Sequence, residues 1–191
     1  MRMEEETMSK AAVFFGTGYE EIEALTVVDI LRRAGVETVM VSVMKEKSVA
    51  GSHDIRVETD ALIGEIDFTG LDVIVLPGGM PGTKNLEACE ALMAQVDIFA
   101  AQGKIVAAIC AAPSILGHRG ILKGKKACSF PSFESHLEGA EVLQQPAVMD
   151  GNLITGRGMG AAIPFGLKIL EKLQGEEAAR KMAEAIIFAC E

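Results

Sequence analysis

Residues 105–117 read IVAAICAAPSILG, an apolar run that sets one cysteine, Cys110, among small residues just ahead of a proline. The unbroken apolar character of KIVAAI predicts a strand buried on both faces. Pro113 suits the first turn of a helix, where its missing N–H costs nothing. Cys110 then falls at an abrupt strand-to-helix corner. Such an elbow needs small residues two places before and two places after the nucleophile, and Ala108 and Ala112 supply them. The pattern A-I-C-A-A stands where hydrolases carry G-x-S-x-G. A thiol at a helix start is biased toward thiolate. Cys110 is therefore expected to alkylate before Cys89, Cys128 and Cys190, with an apparent pKa below the free value of about 8.5. A buried structural cysteine is the plainer account of a lone Cys on an apolar strand; the flanking alanines and the proline set this one apart.

Outward from the elbow, strand and helix alternate along the whole chain. KAAVFF reads as a buried strand, followed by a helix from about Glu20 to Ala34 that Gly35 stops. VETVMVSV is a second strand, and HDIRVE alternates like a half-buried strand or hairpin arm. LDVIVL is a central buried strand, PGGMPG a forced loop, and one helix is expected from about Asn85 to Ala101. KKACSF and AEVLQQ read as strands. AVMDGNLIT reads as a hairpin turning at Asp150-Gly151-Asn152. GRGMG opens a helix to about Leu173, and a last helix runs to near Cys190. The fold class expected is α/β, a three-layer sandwich with a mainly parallel central sheet. Residues 1–8 are expected to be a solvated tail and 9–191 a single domain.

Bulk properties narrow the partners. A formal charge of −9 over 191 residues argues against a nucleic-acid or anionic-membrane surface. No apolar run is long enough to span a bilayer, and MRMEEETMSK has no signal-peptide core. The four cysteines lack metal-type spacing, and free thiols in a reducing cytoplasm are expected. No metal and no cofactor is expected.

In a parallel sheet the ligand crevice lies beyond the carboxyl ends of the strands. GTGYEEIEA, LPGGMPG, CAAPS and GRGMG all leave strand ends there. In LPGGMPG, two glycines allow close backbone approach, and the Gly79 N–H with that of Ala111 makes a two-donor oxyanion site; a plain Pro-Gly turn is the alternative. Glu20 and Glu21 suit a helix N-terminus through its dipole. Glu23, one turn in, is best placed to reach Cys110; desolvated there, it would have a raised pKa and serve as a proton donor or general acid/base. TGRGMGA matches G-x-G-x-x-A in letters, but two helices follow it where a dinucleotide site needs a strand with an acidic residue. It reads as a loop lining the crevice, with Arg157 steadying a carboxylate. His118 lies eight residues past Cys110 on the same helix, about 12 Å away, and cannot pair with it. His53 and His136 sit in polar stretches, so no Cys-His dyad is visible.

At GYEEIEALTVVDILRRAG, DVIVLPGGMPGTKNL, AAICAAPSIL and LITGRGMGAAIPFGLKIL the chain resembles the ThiJ/PfpI superfamily, the DJ-one family, and its ThiJ-like bacterial branch most. The resemblance implies a flavodoxin-like sandwich, a homodimer, a nucleophilic Cys110, and Glu23 hydrogen-bonded to it. It places Gly79 and Ala111 as backbone donors, with Gly78, Arg157 and Phe130 around the pocket. It further implies a cofactor-independent glyoxalase or deglycase acting on a small-molecule carbonyl, or else a chaperone-like redox sensor. Protease-type members carry histidine after the cysteine, where this chain has Ala111. The redox branch carries histidine before the proline, where this chain has Phe130, and an arginine where it has His53.

Overall fold

The computed structural model describes residues 8–188. The expected N-terminal tail, apart from Met8, lies outside them, and so does Cys190. In chain order the strands are β1 (Lys10–Phe15), β2 (Glu37–Ser42), β3 (Ser48–Ala50), β4 (Arg56–Glu58), β5 (Ala61–Leu62), β6 (Val73–Leu76), β7 (Ile105–Ile109), β8 (Lys126–Ala127), β9 (Glu141–Val142), β10 (Ala147–Asp150) and β11 (Leu153–Gly156). The helices are α1 (Glu21–Arg33), α2 (Gly82–Glu87), α3 (Glu90–Gln102), α4 (Pro113–His118), α5 (Ala162–Gln174) and α6 (Glu176–Ala185).

Seven strands form the central sheet in the order β10-β11-β7-β6-β1-β2-β5. Every neighbouring pair is parallel except the β10–β11 hairpin at the edge. Side chains alternate across β1. Ala11, Val13 and Phe15 join a core against α1 and α5, while Ala12 and Phe14 join one against α2, α3 and α4. That two-sided burial explains why the central strands read as unbroken apolar runs. The chain first adds strands outward from β1 through β2, then returns to β6 and builds the other way. The reversal lies between β1 and β6, so the crevice opens where those two strands end, at Gly16 and Pro77.

Three expectations need correction. The single helix over 85–101 is two helices, because Cys89 takes an extended conformation between them; with no Gly or Pro at that point the sequence carries no breaking signal. In the stretch 46–62 the hairpin arm expected at HDIRVE is present as β4, paired antiparallel with β3 apart from the main sheet. The strands expected over 125–130 and 140–145 shrink to β8 and β9, a two-residue parallel pair. The last helix stops at Ala185, and Ile187 has φ 57°, a left-handed conformation that ends regular structure.

Candidate active site

Cys110 occupies the corner after β7 with φ 65°, a conformation that strains any residue bearing a Cβ. Backbone bonds on both sides hold it. Its N–H donates to Gly156 O at 2.9 Å, and its carbonyl accepts from Phe130 N–H at 2.9 Å. Ala108 and Ala112 are fully buried beside it, and Pro113 starts α4, as the elbow pattern requires.

Glu23 comes to the same point from the first turn of α1, and is only 1% exposed. Its Oε2 accepts from Gly78 N–H at 3.0 Å, while Oε1 is buried without a partner. A Cβ on Gly78 would sit 2.6 Å from Cys110 Cβ and 2.6 Å from Glu23 Oε2, so only glycine lets the three groups meet. Gly79 follows at φ +88°, also open only to glycine, packed against the Tyr19–Glu20 backbone. Glu20 N–H donates to Gly78 O at 2.9 Å, tying the two loops together. Neither glycine is therefore a plain turn residue.

Burial pushes the Glu23 carboxyl up to about 7, and the Glu20 charge adds to this. Hydrogen bonds with Cys110 and Gly78 pull the other way. Burial, then the charge of Glu23 and its hydrogen bond, push the Cys110 thiol up to about 12, against backbone bonds from Ala111 and Gly79. This reverses the lowered thiol pKa expected from a helix start. The helix α4 is six residues long, so its dipole is small, while desolvation and an adjacent carboxylate act at contact distance. The groups behave as a pair. Glu23 therefore gives up its proton well before Cys110 does, and the ionised carboxyl then faces a protonated thiol.

Arg157 and Phe130 do come together, with Pro131, Pro146, Gly158 and Met159, around a cleft of about 530 Å³ that begins one residue beyond the Gly156 carbonyl holding Cys110. Arg157 lies 3.6 Å from Glu134, which also accepts from Gln144 Nε2 at 2.8 Å. Glu134 is thus the carboxylate that Arg157 steadies. Gly78 belongs to the Glu23–Cys110 contact and not to this cleft. The histidines lie elsewhere. His118 bonds Glu87 at 2.7 Å and His136 at 3.1 Å, and His53 bonds Glu21 at 2.9 Å.

The sequence reading missed the setting of Glu21. It is 4% exposed and does more than favour a helix dipole. Burial opposes its charge, yet bonds from the His53 side chain and backbone and from Ser52 hold its carboxyl down at about 2. Its partners come from a loop over thirty residues away in sequence, and no local pattern announces them.

The DJ-1/PfpI family pattern matches residues 9–172. Protein dj-1beta of Drosophila melanogaster is 35% identical over 185 residues, covering 95% of this chain and 99% of the fly protein. The glutathione-independent glyoxalase DJR-1.2 of Caenorhabditis elegans is 29% identical over 171 residues, 89% of this chain and 91% of that protein. Among solved structures, oxidized Toxoplasma gondii DJ-1 superposes with a TM-score of 0.91 at 36% identity, covering 95% of this chain and all of that one.

Proposed function

The chain belongs to the DJ-1/PfpI family, and from that premise we propose that it is a cysteine-dependent enzyme on small reactive carbonyls, of glyoxalase or deglycase type. The observation that carries the reading is the buried Glu23 carboxyl, set with Gly78 against Cys110 and raised to about 7. A carboxyl of that pKa takes up and returns a proton at neutral pH. The glyoxalase relative in Caenorhabditis elegans supports the substrate class.

For a 2-oxoaldehyde the steps balance without an outside oxidant. Ionised Glu23 takes the Cys110 thiol proton as the sulfur attacks the aldehyde carbon, the C=O pair moves to oxygen, and that oxygen receives the proton back from Glu23 to give a hemithioacetal. The N–H groups of Gly79 and Ala111, already directed at the sulfur, hold the developing oxyanion. Glu23 then removes the proton from the former aldehyde carbon and returns it to the adjacent ketone carbon, while the hydroxyl proton on the first carbon passes to the ketone oxygen. The first carbon is thereby oxidised to a thioester and the second reduced to an alcohol. Water cleaves the thioester, releasing a 2-hydroxy acid and the thiol. The cleft beside Phe130 and Arg157 holds the rest of the substrate. Methylglyoxal consumption should be measured for the wild type and Cys110→Ser. Turnover that survives in the serine variant would end this reading.

A second reading, a redox sensor or chaperone-like protein governed by the same thiol, draws on the histidines, each of which is bonded away from Cys110. Two equivalents of peroxide would convert the thiolate to a sulfinate with loss of two waters, and a protonated Glu23 would hold that anion. Site-resolved mass spectrometry should find the two-oxygen adduct on Cys110 alone, with less of it in Glu23→Ala. Equal oxidation of Cys89 and Cys128 would count against this reading.

A homodimer and a cytoplasmic location belong to the same proposal. None of the helices among the described residues is long and apolar enough to cross a membrane. Val27 and Leu31 of α1 are fully buried in the chain's own core and are not available for pairing. The open groove, about 620 Å³, is lined instead by Ile22, Leu25, Ile30, Ile55, Ile163 and Ile186.

A further inference from the structure

At the start of α1, away from the sulfur, four side chains converge that the chemistry above does not use. Ser52 Oγ lies 3.1 Å from Glu20 Oε2, 3.2 Å from Glu21 Oε2 and 3.0 Å from His53 Nδ1. His53 Nδ1 lies 2.9 Å from Glu21 Oε2 and 3.8 Å from Glu20 Oε2. The two carboxylates and the imidazole can each offer one atom within 4.8 Å of the others. We propose that Glu20, Glu21, His53 and Ser52 form a binding site for a divalent transition-metal cation of the zinc class, which clips the 51–55 loop to the N-terminal end of α1.

Proton supply gives the first argument. One hydroxyl hydrogen and one imidazole hydrogen serve four contacts of 2.9–3.2 Å, so each hydrogen is divided between two acceptors and the carboxylate oxygens are short of donors. Ligands of one cation at about 2.0–2.2 Å stand about 2.8–3.6 Å apart around it, which is the spacing of these four contacts, and His53 Nδ1 lies just beyond it from Glu20 Oε2 at 3.8 Å.

The second argument is charge and is independent of the first. The Glu21 side chain is 5% exposed, and among the described residues neither Glu20 nor Glu21 has a lysine or arginine within ion-pairing distance. Two carboxylates share one imidazole that is itself 69% exposed. A dication balances that set where a single imidazolium does not.

The third argument is construction. A Cβ on Gly51 would overlap the Glu21 carboxyl, so the loop backbone is moulded around that group. His53 N–H donates to Glu21 Oε1 at 2.7 Å, which turns Oε2 toward the cluster. Gly51 N–H to Ile55 O at 2.9 Å and Ser52 N–H to Tyr19 O at 2.8 Å fix the loop itself. An imidazole nitrogen among oxygens favours zinc over magnesium or calcium.

The test is calorimetric titration of Zn²⁺ into the full chain carrying Cys110→Ser, which removes the catalytic-site thiol from competition. One ion per chain is expected, with a concentration-dependent rise in Tm. Adding His53→Ala should weaken binding at least tenfold and abolish the Tm rise, with the stability lost along with the His53–Glu21 bond read separately from the metal-free Tm. Glu21→Gln should weaken binding similarly. Absence of zinc uptake, a His53→Ala variant that titrates like its parent, or magnesium bound as tightly as zinc would each overturn the proposal.

Discussion

Glu23 has a folded-state pKa of about 7 against an ordinary 4.5, and the direction of that shift fixes what it does to stability. The unfolded chain ionises it more readily, so its contribution is fully present below about pH 4.5 and is lost as pH rises through 7. A shift of that size corresponds to about 3 kcal/mol. Glu23→Gln, which cannot ionise, should therefore be more stable than the wild type at pH 8 by up to about 3 kcal/mol, with the advantage gone at pH 4. Urea unfolding at both pH values reads this directly, and an equal difference at the two would refute the buried charge. At this scale the sequence marked Cys110, Glu23, Gly78 and Gly79, because elbow sterics and glycine pairs leave local patterns. It misjudged the thiol pKa and overlooked the Glu21 loop contacts, since both depend on burial by residues remote in the chain.

Among elements, the short helix α4 depends on how closely the 131–136 segment can approach it. Gly117 is buried, and a Cβ there would overlap the His136 carbonyl. The same contact brings His136 to His118, and the segment begins at Phe130, bonded to the Cys110 carbonyl. Gly117→Ala should thus cost about 1–3 kcal/mol by overpacking and disturb the cleft side of the site. Denaturant midpoints, together with the alkylation rate of Cys110, measure both effects; an unchanged midpoint would show that the segment yields without cost. Alternation of β and α elements was legible because β6 and β7 are apolar throughout and Gly35 ends a periodic run. The break at Cys89 and the two-residue strands β8 and β9 were not, because tertiary packing rather than local preference decides them.

For the whole molecule, the parallel sheet brings β1, β6 and β7 to one crevice while leaving an apolar groove along the outside of α1. Ile22 and Ile55 are 49% and 54% exposed there, so a charge at either costs the single chain little. Ile22→Glu should turn a dimeric mass into a monomeric one by light scattering, with Tm lowered only through loss of the partner. A wild type that is already monomeric at micromolar concentration would remove the dimer from the account. The groove itself was not legible in the sequence, because amphipathic periodicity tells which residues are apolar and not which of them the chain's own sheet will cover.

The measurement that bears most directly on the Glu23–Cys110 pair is the pH dependence of kcat/KM for methylglyoxal. Below about pH 7 Glu23 is protonated and cannot accept the Cys110 thiol proton, and above it the carboxylate can. The rate constant should climb about tenfold per pH unit up to that point and then level. Glu23→Gln should lose the inflection and fall by about 10²–10⁴-fold. A wild-type profile flat through pH 7, or the same inflection surviving in Glu23→Gln, would contradict the assignment of Glu23 as the base for the Cys110 thiol.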